Sequence, residues 1–292
     1  MELPDLKKIT TDKIHAPFLE NKNVQLDVLR LDKVHQVISG NKWFKLKYHL
    51  DNFNAGNYNG IITFGGTWSN HIVATACACY LQKIKCIGII RGEKPPQLST
   101  TLLVATNYEM KLKFISREKY NQKNSNEFLE SIKKEIPGHY IIPEGGAGEE
   151  GEKGAAEILQ HANGKNYTHI ACAVGTGTMC NGIRRAASSN QHILGIIVLK
   201  GWKEENKIAN AGLFLNYHFG GYAKYDQTLI DFMNDFFRLT NIPTDFVYTG
   251  KLAYALLDLV KKDHFPPASK ILMIHSGGLQ GNTSLQKGSL IF

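Results

Sequence analysis

The sequence predicts an α/β protein of two lobes, on three observations. From about residue 24 onward short β-branched runs alternate with longer amphipathic stretches, the pattern of parallel strands joined by crossover helices. A glycine-dense segment, 143–154, divides that alternation into two sets, so a domain crossover is expected there. The 292 residues suit two domains or one large one, and 43% of them are hydrophobic, enough for a substantial core, which excludes a disordered chain.

The elements follow in order. Residues 24–31 alternate apolar and polar side chains and read as the first strand; Ser39-Gly40-Asn41-Lys42 then turns the chain into a helix that starts at Trp43. Residues 60–64 form the second strand, and Ser69, a good N-cap, opens a helix over 69–82. Strands at 85–90 and 111–115 precede helices at 126–136 and 151–161. In the second set, strands at 168–174, 193–199 and 270–275 alternate with helices at 179–188, 228–239 and 251–262. No internal repeat is present.

Composition excludes several classes. No apolar run approaches the roughly 18 to 20 residues of a membrane-spanning helix, and residues 1–19 scatter Asp, Lys and Pro where a signal peptide is apolar, so a cytoplasmic protein without membrane partners is expected. The net charge of +8 is spread over dispersed pairs such as Lys133 and Lys134 rather than interleaved with aromatics, which argues against nucleic acid and leaves attraction to anionic substrates open. Five cysteines is an odd number, and Cys77, Cys79, Cys86 and Cys172 sit among Ala, Ile and Val as small apolar side chains. Cys77 and Cys79 lie two apart on a helix and point to different faces, so no metal site is expected.

Three constellations could carry chemistry. Val174-Gly175-Thr176-Gly177-Thr178 ends a strand and opens a helix, so successive amides and two hydroxyls could cradle one phosphate group, or form a plain turn. A dinucleotide fingerprint would place glycine where Cys180 stands. Gly65-Gly66-Thr67-Trp68-Ser69-Asn70-His71 gathers a hydroxyl, an amide and an imidazole at a helix start, where the dipole favours a carboxylate or phenolate. Lys42 stands beside aromatics that would ease loss of its proton, as a Schiff-base nucleophile requires, whereas Lys45 and Lys47 read as solvated neighbours. Tyr222 and Tyr248 could stack on a ring or pass protons, or be ordinary buried tyrosines.

Taken in order, SGNKWFKL, GGTWSNH, PEGG, VGTGT, GGY, FVYTGK and HSGG resemble the pyridoxal-phosphate enzymes that include 1-aminocyclopropane-1-carboxylate (ACC) deaminase and D-cysteine desulfhydrase. The resemblance implies the tryptophan-synthase-β-like fold, with mostly parallel sheets, a small domain at 45–151 inserted in a large one of 1–44 and 152–292, and pyridoxal 5′-phosphate between them. It implies that Lys42 binds the cofactor covalently, Asn70 its ring oxygen, and Val174 to Thr178 its phosphate. Ser69, Asn70 and His71 would meet the substrate, the first and last through its carboxylate. Tyr248 would lie against the ring and Tyr222 would approach the substrate from the other lobe. A small amino-acid substrate and a homodimer are further implications.

Two positions separate members of that family. Thr249 would face the pyridine nitrogen where the ACC deaminase pattern has glutamate, and Ser276 replaces a leucine of that pattern. A neutral hydroxyl gives a weaker electron sink, suited to a good β-leaving group. The expected reaction is therefore α,β-elimination from D-cysteine or a related D-amino acid. ACC deamination is the alternative, and a non-catalytic phosphate-binding protein or another reaction on the same fold are the remaining readings.

Overall fold

The computed structural model describes residues 2–162, 166–202 and 208–292. Its strands are β1 (Thr11–Lys13), β2 (Gln25–Arg30), β3 (Gly60–Gly65), β4 (Cys86–Arg91), β5 (Lys111–Ile115), β6 (His139–Ile142), β7 (His169–Val174), β8 (His192–Ile197), β9 (Ala211–Phe214) and β10 (Lys270–His275). They form two sheets, ordered β1-β2-β10-β7-β8-β9 and β5-β4-β3-β6. Every pairing is parallel except that of β1 with β2. The first sheet draws on residues before 31 and after 168, and the second on residues 60–142.

Parallel sheets need cover on both faces, which explains strands that read as continuous apolar runs. On β10, Ile271 and Met273 enter one core while Leu272 and Ile274 enter the other, and all four are fully buried. On β3 of the second sheet, Ile61 and Ile62 separate in the same way. The covering helices are α1 (Pro17–Asn21), α2 (Asn41–Ala55), α3 (Asn70–Leu81), α4 (Thr100–Asn107), α5 (Arg117–Asn121), α6 (Asn126–Glu135), α7 (Glu149–Ala156), α8 (Thr178–Ala186), α9 (Gln227–Thr240) and α10 (Thr249–Lys261).

The expected strands appear within a residue or two of their predicted limits. The sequence reading lacked β1, β6 and β9, each of three or four residues, and the helices α1, α4 and α5, each of five to eight. All five cysteines are buried and outside any disulfide, Cys77 and Cys79 on α3 among them. Among the described residues no cluster of three metal-ligating side chains exists, and no helix is long and apolar enough to cross a membrane.

Candidate active site

The carboxyl ends of strands from both sheets open onto one cavity of about 650 Å³, within the range of small-molecule sites. In open parallel sheets this is where ligands bind, because the turns there carry free amides and short side chains. Thr67 to His71 reach it from β3, Arg91 from β4, Glu144 from β6, Val174 to Gly177 from β7 and Ser276 from β10. A second concavity, along residues 213–220, is lined by none of the expected site residues.

Lys42 enters at the start of α2. Gly40, with φ +65°, lies so close to β10's exit that an added Cβ would fall 1.8 Å from the Ser276 carbonyl oxygen, so only glycine fits. The Asn41 amide donates to that same oxygen at 3.1 Å, tying the lysine segment to the far sheet. Lys42 Nζ donates to Asn41 Oδ1 at 2.6 Å. Burial pulls its pKa down from 10.5 to about 8, partly opposed by the Asp245 carboxylate.

Lys45 corrects the sequence reading. It is 6% exposed, and burial, with the charge of Lys42, lowers its pKa to about 7. Three residues after Lys42 it occupies the same helix face, which the fold turns inward. Its Nζ lies beside the loop after β7: a Cβ on Gly145 would sit 3.8 Å from Lys45 Nζ and 3.3 Å from Thr176 Cγ2. Lys47 does point outward, to Glu157 at 2.6 Å. The i, i+3 spacing was the available signal.

The loop itself passes from Val174 through Gly175, Thr176 and Gly177 into α8, whose first residue is Thr178. Thr176 and Thr178 hydroxyls are 3.0 Å apart. Tyr248 packs on this loop; a Cβ on Gly175 would be 3.2 Å from its Cε1, so glycine admits the ring. Tyr222 meets Tyr248 edge-on, with centroids 6.0 Å apart, and both line the cavity. Burial raises the pKa of the Tyr248 phenol.

At the start of α3, Ser69 accepts from the Ile72 amide and so serves as N-cap. Asn70 is 8% exposed, and its Oδ1 has no hydrogen-bond partner. His71 is 3% exposed, with Nε2 2.8 Å from the Thr63 hydroxyl and Nδ1 unpartnered. Burial and the charges of Lys45 and Lys42 hold its pKa well below 6.5, so the ring is neutral and lacks the positive charge that would attract a carboxylate.

Thr249 departs from the expected group. Its hydroxyl is buried and donates to Asp245 Oδ1, and it does not line the cavity. The reason is local: Asp245 caps α10, accepting from the amides of Val247, Tyr248 and Thr249 at 2.9 to 3.0 Å. Ser276 does line the cavity. The structure therefore gathers Lys42, Ser69, Asn70, His71, Val174 to Gly177, Tyr222, Tyr248 and Ser276, adds Lys45, and sets Thr249 behind the wall.

No family model matches the chain. It is 30% identical over 278 residues to a Pyrococcus furiosus protein provisionally named 1-aminocyclopropane-1-carboxylate deaminase, covering 84% of this chain and 82% of that one. It is 29% identical to the Arabidopsis thaliana mitochondrial bifunctional D-cysteine desulfhydrase/1-aminocyclopropane-1-carboxylate deaminase, over 91% of this chain and 75% of that one. A solved ACC deaminase homologue superimposes with a TM-score of 0.81 at 24% identity, covering 96% of this chain and 94% of that one. With identity of that level over most of both proteins, on the same fold, the chain belongs to the ACC deaminase/D-cysteine desulfhydrase family of pyridoxal-phosphate-dependent enzymes.

Proposed function

We propose that this enzyme holds pyridoxal 5′-phosphate in the 650 Å³ cavity and catalyses α,β-elimination from D-cysteine or a related D-amino acid, giving pyruvate, ammonia and sulfide. The observation that carries this reading is Lys42, a half-buried amine with pKa about 8 that lines the same cavity as the glycine-threonine loop and Asn70. The donor set fits the cofactor. The Asn70 side-chain amide, donating through Nδ2, suits a ring oxygen, the amides of 175–178 with the Lys45 amine suit a phosphate, and Tyr248 offers a ring face. The cofactor, when bound, supplies the sink for electrons released at the substrate's Cα.

The chain's own groups do the rest. Lys42, its pKa lowered to about 8, is the amine that would hold the cofactor, and above about pH 8 it is largely free of its proton and can carry the proton from the substrate's Cα. Ser69 and the free amides of α3's first turn suit the substrate carboxylate. Tyr222 and Tyr248 line the cavity beside the loop after β7, while Ser276 places a small hydroxyl in its wall.

D-cysteine is preferred because Ser276 leaves a polar wall and the Arabidopsis relative is named for that activity; the same name supports ACC as the second reading. The test is release of pyruvate, sulfide and 2-oxobutanoate from D-cysteine, L-cysteine and ACC, with Lys42→Ala as control. Pyruvate and sulfide from D-cysteine, lost in the variant, support the proposal, and 2-oxobutanoate from ACC alone replaces it with the second reading. The family resemblance further implies a homodimer, which sedimentation would test.

A further inference from the structure

We infer that Lys251 is a positioning residue: its amine ties together two consecutive turns of the loop between β9 and α9 and thereby holds Tyr222 at the cavity, against Tyr248. The inference rests on the proposed elimination only for the substrate that reads it out, not for the place of the ring.

The loop, residues 215–226, has no strand or helix to fix its path. Two turns build its middle. The Gly221 amide closes the first by donating to the His218 carbonyl at 3.0 Å, and the Lys224 amide closes the second by donating to the Gly221 carbonyl at 3.1 Å. Tyr222 is the second residue of the second turn. Phe219 and Ala223 hold φ of +50° and +52°, a left-handed backbone that side chains disfavour, so contacts from outside must keep the path. The Phe219 ring anchors the first turn on Tyr254, with centroids 4.9 Å apart, whereas the Tyr222 ring is 44% exposed and cannot hold the second turn by packing alone.

Lys251 supplies what the loop lacks. Its Nζ donates to the carbonyls of His218 and Gly221, both at 2.8 Å, and these are the first residues of the two turns. The side chain is fully buried. Burial pulls its pKa down from 10.5 to about 8, against the Asp245 carboxylate, so the amine keeps its proton at neutral pH and both bonds are charge-assisted. Lys251 follows Tyr248 by three residues at the start of α10. One short segment, 248–251, thus sets both rings of the edge-on pair, Tyr248 through its own backbone and Tyr222 through Lys251.

The test compares the chain with Lys251→Met, Tyr222→Ala and the double variant. In Lys251→Met each carbonyl keeps its turn amide, so neither is orphaned and the fold should survive. Fluorine-19 spectra of the 3-fluorotyrosine-labelled chain, with the Tyr222 line assigned by its loss in Tyr222→Ala, should show that line move to the position of an exposed tyrosine in Lys251→Met. The Tyr167 line, from a hydroxyl bound to Asp27, should stay in place and reports an intact fold. In the cofactor-loaded enzyme, kcat for D-cysteine should fall about tenfold in Lys251→Met, as loss of one charge-assisted bond allows, with pyridoxal 5′-phosphate affinity changed less than about twofold. Added to Tyr222→Ala, the same substitution should cost less than about twofold. An unmoved Tyr222 line in the folded variant, or a tenfold loss that persists when Tyr222 is absent, overturns the inference. Where the Tyr167 line moves as well, Lys251→Arg, which shifts the donors without removing the charge, takes the same two readings and decides. No turnover of D-cysteine by the unsubstituted chain would instead overturn the proposed function, while the spectra still decide the role of Lys251.

Discussion

Thr249 Oγ1 donates to Asp245 Oδ1 at 2.7 Å, and the Asp245 amide donates back to the same hydroxyl at 2.8 Å. This closed ring at the start of α10 leaves the Thr249 hydroxyl no second proton to offer. It also anchors the carboxylate whose charge raises the Lys42 pKa against the effect of burial. Asp245→Asn should therefore lower the pKa of Lys42 further and cost about 1–3 kcal/mol through the weakened cap. The pH dependence of pyridoxal 5′-phosphate capture by the apo-chain, together with urea unfolding, reads both effects; capture with an unshifted midpoint would separate Asp245 from Lys42.

The same ring reverses a prediction that the sequence invites. Glutamate at position 249 would carry a second carboxylate into contact with Asp245, in a place with no exposure. Thr249→Glu should lower stability by about 3 kcal/mol or more rather than redirect the reaction towards ACC. Ser276→Leu, in the cavity wall, is the substitution expected to change the ratio of ACC to D-cysteine turnover. Thermal unfolding and product ratios for the two single variants distinguish the roles.

Lys42 and Lys45 make folding depend on pH in a defined direction. Between pH 8 and 10.5 the unfolded chain holds a proton on Lys42 that the folded chain has shed, so stability rises with pH across that window. For Lys45 the window opens lower, at about 7. Lys45→Met should therefore stabilise the cofactor-free chain near neutral pH by about 1–3 kcal/mol and flatten the rise. Urea midpoints measured from pH 7 to 10 would show it; a fall in stability on removing the amine would mean that Lys45 is already neutral or paired in the free chain.

If Lys45 meets the cofactor's phosphate, the variant should bind pyridoxal 5′-phosphate about 10- to 100-fold more weakly, the loss of one charge-assisted contact, and pyridoxal unchanged. Equal weakening of both ligands would place the amine elsewhere.

Gly40→Ala offers a purely structural test. The left-handed φ of +65° and the 1.8 Å approach to the Ser276 carbonyl both oppose a side chain, so a loss of roughly 2–4 kcal/mol and a displaced Lys42 are expected. Unfolding of the variant, with the rate of cofactor capture, checks the two consequences separately.

Much of the fold was legible because its long strands are buried on both faces and so appear as uninterrupted apolar runs, as in β7, β8 and β10. The three- and four-residue strands β1, β6 and β9 were not, since so few residues show no period. Lys42, Asn70 and the loop after β7 were legible because glycine and hydroxyl residues next to a strand end are local signals. Lys45 was hidden among aromatics and lysines that looked alike until α7 and the loop at Gly145 covered one face of α2.

By itself, then, the sequence determined the alternation of strand and helix, the turns that bring backbone amides to one edge, and the lysine beside them, because each depends on neighbours a few residues away. Only the tertiary structure decided that Lys45 is buried, that Thr249 turns to Asp245 and away from the cavity, and that the Thr63 hydroxyl meets His71 and the Ile142 carbonyl. Those outcomes depend on which faces are covered and on which hydroxyl finds which acceptor. For Lys45 and Thr63 the deciding partners, at Gly145 and Ile142, lie roughly 80 to 100 residues away along the chain and meet only when β6 pairs with β3 and α2 packs against the turn after β6.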